Sequence, residues 1–190
     1  LERVALCTHD MGDTVGGELL ARDLDGSLPF GISRRVLTNG SIYLGLAHLT
    51  TGQQLLLQLD DAATDAISAE GFTAGVALTF SPAHPATREE LELQWAAMAE
   101  ADGHRLLPRL IRYIEDRRLR EARYTGAIER HASPIGVVWG MQDPVAVAPM
   151  VDRLLAARPG TPFIALDDAG HYPMIEIPEQ FARALTGLLQ

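Results

Sequence analysis

The chain has 190 residues, 47% of them apolar and 22% charged, and its 16 basic against 25 acidic side chains give a formal net charge of −9. This length and apolar content suit one domain with a sizeable core, and the acidic balance argues against a nucleic-acid partner or an anionic membrane surface. Every basic side chain is Arg, which excludes Schiff-base chemistry and a phosphate-cradling lysine, and no apolar run reaches the ~18 residues of a membrane span.

Val4-Ala5-Leu6-Cys7-Thr8-His9 reads as a buried strand that turns abruptly at Asp10-Met11-Gly12 into a helix, leaving a carboxylate at the corner. A small residue is expected two positions after such a corner, where strand and helix backbones approach, and Gly12 supplies it. A helix starting near Met11 directs its unpaired amides and positive dipole end at Asp10 and favours the ionised carboxylate. An ordinary helix N-cap is the other reading of the same residue. Cys7, the single cysteine, is expected to pack inside the strand; no intrachain disulfide can form, and a reducing, cytoplasmic setting is expected. Thr14 to Leu24 is helical, with Val15, Leu19 and Leu20 on one face, and Asp25-Gly26 ends it. Arg35 to Thr38 is the next strand, closed by Asn39-Gly40, where Asn39 either faces substrate or serves a simple turn.

From Ile42 to Arg130 helical patterns replace strands. Gln53 to Ala69 carries leucines at 55, 56, 57 and 59, and Thr87-Arg88-Glu89-Glu90 fits a capping box that opens a helix running through Trp95 and Met98 to Ala101. Leu107, Leu110, Ile111 and Ile114 follow amphipathic spacing. Strands resume at Pro134 to Gly140, with Asp143 just past the end, and at Pro162 to Leu166, with His171 in the following loop. Pro149 to Ala157 and Pro178 to Leu189 are helices that each open on a proline. Trp95 and Trp139 read as core residues, and His48, His84, His104 and His131 lack the pair spacing of a metal site. No cofactor is implied.

The fold class is therefore α/β, a mostly parallel sheet with a helical insertion after the second strand, and the chemistry runs in the order carboxylate, acid, histidine. Each candidate sits just beyond a strand, at the edge where parallel sheets carry their sites. That order is the one used by α/β-hydrolases. His9 to Val15, Leu37-Thr38-Asn39-Gly40, Ile111-Arg112-Tyr113-Ile114 and Gly170-His171-Tyr172-Pro173 are similar to the aspartate-nucleophile branch of that superfamily. The branch includes haloalkane dehalogenases and epoxide hydrolases, and the likeness is greatest to the mesoderm-specific transcript-like subgroup and its bacterial relatives. The resemblance implies Asp10 as nucleophile, Asp143 and His171 as its partners and the Met11 amide as an oxyanion donor. It also implies a hydrolase core over 1–41 and 131–190, and a lid over 42–130 that shapes a pocket for a small hydrophobic substrate. Tyr113 and Tyr124, with Tyr43 near the lid entry, become candidates for substrate contact, Tyr113 first as proton donor to an epoxide oxygen. His9 is expected to support the elbow.

Two departures narrow the expectation. Haloalkane dehalogenases usually carry Trp after the nucleophile to hold the departing halide, and Met11 has no such donor. The chain also opens at Leu1 almost directly on the nucleophile strand, without the early strands and oxyanion loop of the family. The activity expected is hydrolysis of an epoxide through an alkyl-enzyme ester. Dehalogenation and general ester or lactone hydrolysis are alternatives, as is a non-catalytic fragment whose open sheet edge is covered by self-association or a partner chain.

Overall fold

In the computed structural model, which describes residues 2–60 and 66–190, four strands form one parallel sheet in the order β1 (Arg3–His9), β2 (Gly31–Thr38), β3 (Ile135–Gly140), β4 (Phe163–Leu166). Period-two alternation sends successive side chains to opposite faces. Leu37, Val137 and Trp139 pack to one side with Leu20, Ile128, Met150 and Leu154, while Val36, Val138 and Leu166 pack to the other with Ile177 and Phe181. The first face is covered by α1 (Met11–Leu24), α6 (Tyr113–Arg130) and α7 (Pro149–Ala157), the second by α9 (Pro178–Leu189).

β1 departs from expectation. It is an edge strand, and α9 touches β2 and β3, so Arg3, Ala5 and Cys7 are exposed rather than packed. The apolar sequence of β1 describes a strand able to be covered on both faces; only the α1 side is covered in this chain. The close approach of helix to strand also lies elsewhere than expected. A Cβ at Gly12 would meet Thr8 at an ordinary 3.8 Å, whereas at Gly16 it would sit 2.9 Å from Thr8 Cγ2. Gly16 is the position where α1 can lie against β1 only without a side chain.

Between β2 and β3 lie α2 (Thr51–Gln58), α3 (Ala69–Ala77), α4 (Arg88–Ala99), α5 (Leu107–Leu110) and α6. The expected capping box at Thr87 and Glu90 is present, and a second one, Thr50 with Gln53, opens α2. The longer helix expected over Gln53 to Ala69 ends at Gln58; its 61–65 portion lies outside the described residues. The amphipathic run at 107–114 is divided between α5 and α6, because Arg112 between them donates to the carbonyls of Leu57 and Leu59 at the end of α2, at 3.0 and 2.8 Å. Those are carbonyls a helix leaves unpaired.

α6 packs along α1 and gives Ala127 and Ile128 to the main core. After β4 a short helix, α8 (Pro173–Glu176), leads into α9, which matches its expected bounds. Among the described residues no helix is long and apolar enough to cross a membrane.

Candidate active site

β1 delivers Asp10 to a strained corner. Its backbone is at φ 50°, ψ −119°, outside the regions L-residues favour, and its side chain makes no capping hydrogen bond to α1. An N-cap aspartate would have extended backbone and accept an amide of the next turn, so the capping reading of Asp10 fails on both counts. Burial opposes ionisation of its carboxyl, but the His171 and His9 rings and the Met11 amide outweigh it and hold Asp10 below the usual carboxylate range. The Met11 side chain points outward while its amide serves Asp10.

The loop after β4 brings His171 over this corner, with Nε2 3.9 Å from Asp10 Oδ1 and Nδ1 2.8 Å from Asp143 Oδ2. The contact to Asp10 is longer than a hydrogen bond and is one of charge. Burial works against an imidazolium here, yet the Asp10 and Asp143 carboxylates override it and push His171 up to about 10. His9 occupies the back of the ring: its Nε2 donates to the His171 carbonyl at 2.7 Å, and the two rings sit 4.9 Å apart. Burial first, then the charge of His171, lowers the His9 imidazole below its ordinary value and keeps it neutral. Supporting the site is thus what His9 does, through the histidine loop rather than through the elbow alone.

Asn39 does not face substrate, and that expectation is corrected. It has no exposed surface and adopts φ 46°, a left-handed conformation that asparagine tolerates. Its Nδ2 donates to Asp143 Oδ2 at 2.9 Å and to the Gly140 carbonyl at 3.2 Å, while its Oδ1 accepts from the Gly140 amide at 2.9 Å. It fixes the acid that fixes the histidine. Asn39→Gly keeps the backbone conformation but leaves the Gly140 amide without its partner; a loss of about 1–3 kcal/mol is expected, read from urea denaturation midpoints. An unchanged midpoint would remove this role.

Above the corner lies a cavity of about 270 Å³ whose wall includes Asp10, His171, Leu55, Phe72 and Val76, so α2 and α3 enclose the carboxylate in apolar surface. Tyr113, at the first turn of α6, is partly buried. Burial, then the nearby Asp10 charge, raises its phenol well above the usual range. Tyr124 is not at the site: it is buried lower on α6, against Gly17 of α1, with its hydroxyl on Asp116. Tyr43 is likewise buried, donating to Glu129 at 2.8 Å. The structure therefore brings Asp10, the Met11 amide, Asp143 and His171 together, leaves Tyr113 within reach of the Asp10 charge but not among the residues lining the cavity, and leaves Tyr124 outside.

A buried residue near the corner gave no sequence signal beyond being acidic in a first turn. Asp13 is fully enclosed, takes a hydrogen bond from Thr8 and packs against the Cα of Gly40, where a Cβ could not fit. Burial pushes its carboxyl up to about 8 despite Thr8 and the charge of Arg117. It is a packed acid of the elbow rather than a second nucleophile.

The model of the Alpha/beta hydrolase family matches residues 1–184. The protein named "Putative hydrolase LipZ" of Mycobacterium tuberculosis is 42% identical over 187 residues, which cover 98% of this chain and 65% of that protein. The Bos taurus mesoderm-specific transcript homolog protein is 31% identical over 98% of this chain and 58% of its own length. Among solved structures, an alpha/beta hydrolase fold protein from Burkholderia ambifaria matches at TM-score 0.74 and 23% identity over 98% of this chain and 66% of that one. The enol-lactonase from Burkholderia xenovorans matches at TM-score 0.67 and 18% identity over 99% and 66%. At such identities the solved structures speak to the fold.

Proposed function

The chain belongs to the alpha/beta hydrolase family, and on that premise we propose that it is a hydrolase that uses Asp10 as its nucleophile and works through an alkyl-enzyme ester, on an epoxide or a similar small hydrophobic substrate. The observation that carries this reading is the strained, ionised Asp10 facing His171 on the wall of an apolar cavity. A carboxylate already ionised needs no base for its own attack and can displace a leaving oxygen from a tetrahedral carbon. An Asp10 oxygen attacks a ring carbon, the ring C–O bond breaks, and the leaving oxygen takes the Tyr113 phenolic proton. His171, oriented by Asp143, then removes a proton from water, and the hydroxide adds to the Asp10 carboxyl carbon. The oxyanion formed there is met by the Met11 amide. Collapse breaks the ester bond between the carboxyl carbon and the alkyl oxygen; the departing alkoxide takes the proton held by His171, the acid proton of the new Asp10 carboxyl returns to the Tyr113 phenolate, and the diol released carries an oxygen from Asp10. The helices α2 and α3 serve as the lid that keeps bulk water from the ester.

The test is a single turnover in ¹⁸O-water. The label should enter the Asp10 carboxyl, found by mass spectrometry of its peptide, and the first diol released should be unlabelled at the transferred oxygen. Label appearing directly in that diol would mean that water, not Asp10, attacks the substrate. Asp10→Asn protein that still cleaves esters would move the chemistry to another nucleophile.

A further inference from the structure

His171 is carried on a loop whose neighbours offer little to hold it, since Gly170 has no side chain and Pro173 has no amide hydrogen. Besides the His9 ring on the His171 carbonyl, a carboxylate from the next helix holds the loop. Glu176 Oε2 accepts from the Gly170 amide at 2.8 Å and Oε1 from the Tyr172 amide at 3.0 Å, the amides of the two residues flanking His171. The same Oε2 accepts from the Ser81 amide at 2.9 Å, 95 residues away, in the segment that leaves α3. The two stretches touch backbone to backbone: a Cβ at Gly170 would lie 2.7 Å from both Ser81 N and the Thr79 carbonyl, and that carbonyl accepts from the His171 amide at 3.0 Å. Thr79 lines the same cavity as Asp10 and His171.

We propose that Glu176 is a positioning residue of this site, tying the histidine loop to the 79–81 segment of the cavity wall so that the imidazole stays in reach of both Asp10 and Asp143. The role rests on the reading of His171 as the base of the second step. Three amide donors converge on Glu176, and only a group with two accepting oxygens satisfies them all; glutamine, of the same shape, must turn an NH₂ toward one of them. The same clamp makes the cavity wall and the base one unit, so a substrate seated against Thr79 also presses on the loop that places His171.

Glu176→Gln and Glu176→Asp, made in the full chain, separate positioning from mere stabilisation. Asp10 and Asp143 are the carboxylates that raise His171, so in Glu176→Gln loss of the Nδ1 hydrogen bond to Asp143, read from the imidazole ¹⁵N and ¹H shifts, marks a moved ring and separates it from loss of the Glu176 charge. The expected result is a His171 midpoint, followed by ¹⁵N NMR of the imidazole, lower by about one pH unit or more, a tenfold change in its protonation equilibrium. With it should come a fall in kcat of about tenfold or more at a nearly constant KM, the pattern of an interaction realised in the transition state. Glu176→Asp, which keeps two accepting oxygens, should retain more of both, and it takes over the measurement if the glutamine variant does not fold. Glu179→Gln, on the outer face of α9, should change neither. A folded Glu176→Gln protein with wild-type titration and wild-type kcat overturns the proposal. The NMR arm needs no substrate, so a shifted titration in a chain that hydrolyses no epoxide would sink the functional reading and leave the clamp standing.

Discussion

Incubated with an epoxide, His171→Gln protein should gain the mass of one substrate molecule, and the adduct should map to the peptide containing Asp10. The first step asks no proton transfer of His171, and the Met11 amide still favours the Asp10 carboxylate in the variant; the second step needs a base to take a proton from water, and glutamine is none. Turnover should therefore fall on the order of 10⁴-fold or more, with the ester accumulating. The charge arrangement also explains how the wild-type histidine changes role within one cycle. In the free protein Asp10 and Asp143 together raise it to about 10, so it is an imidazolium at neutral pH and favours the Asp10 carboxylate. Esterification removes the Asp10 charge and with it one of the two causes of the rise. The ring then deprotonates more readily, at the moment a base is required. Single-turnover hydrolysis of the wild-type ester should show an apparent pKa below about 10, with the rate rising through it as pH increases. The sign for stability is opposite: a pKa raised from 6.5 to about 10 in the folded state stabilises fully below pH 6.5, and that contribution is lost as pH climbs through about 10. An active wild-type chain whose His171→Gln variant never carries an adduct would exclude the ester intermediate.

The strands and the chain order of Asp10, Asp143 and His171 were legible because each signal is local: a short apolar run, a breaker, and a chemically able residue immediately after it. Parallel pairing then sends all three to one edge, which is topology and needs no further information. What the sequence did not show are roles set by burial. Asn39-Gly40 has the look of a turn, and only the register of β2 against β3 reveals that the Asn39 amide points into the sheet at Asp143 rather than out to substrate. Tyr113 and Tyr124 lie in one helix, and only the packing separates them: Tyr124 lies against Gly17 of α1, while Tyr113, at the helix start, feels the Asp10 charge. Glu176 escaped notice for a similar reason: its partners are backbone amides, which carry no side-chain signature at all. Cys7 is exposed, and an apolar strand carries no sign of whether its second face is covered.

Asp143→Asn is expected to cost on the order of 10⁴-fold in kcat with little change in fold, because this carboxylate is saturated with donors. Oδ1 accepts from the Val145 and Ala146 amides at 2.7 and 3.0 Å, and Oδ2 from Asn39 Nδ2 at 2.9 Å and His171 Nδ1 at 2.8 Å. An asparagine has one accepting oxygen to offer. If it keeps the two backbone amides, its NH₂ faces His171, and Nδ1 must become the acceptor; the proton then sits on Nε2, the nitrogen that has to take one from water. If it turns the other way, two buried amides lose their acceptor, which costs more than the neutral alternative. Asn39 cannot relieve the conflict by flipping, because its own Oδ1 is committed to the Gly140 amide and the Thr38 hydroxyl. The wrong tautomer is therefore the expected state, visible in the imidazole ¹⁵N shifts, and the damage falls on the second step alone. Rapid-quench measurement should find formation of the Asp10 ester near its wild-type rate and its hydrolysis slowed by the full factor; equal slowing of both steps would show that Asp143 serves the fold of the corner rather than the base.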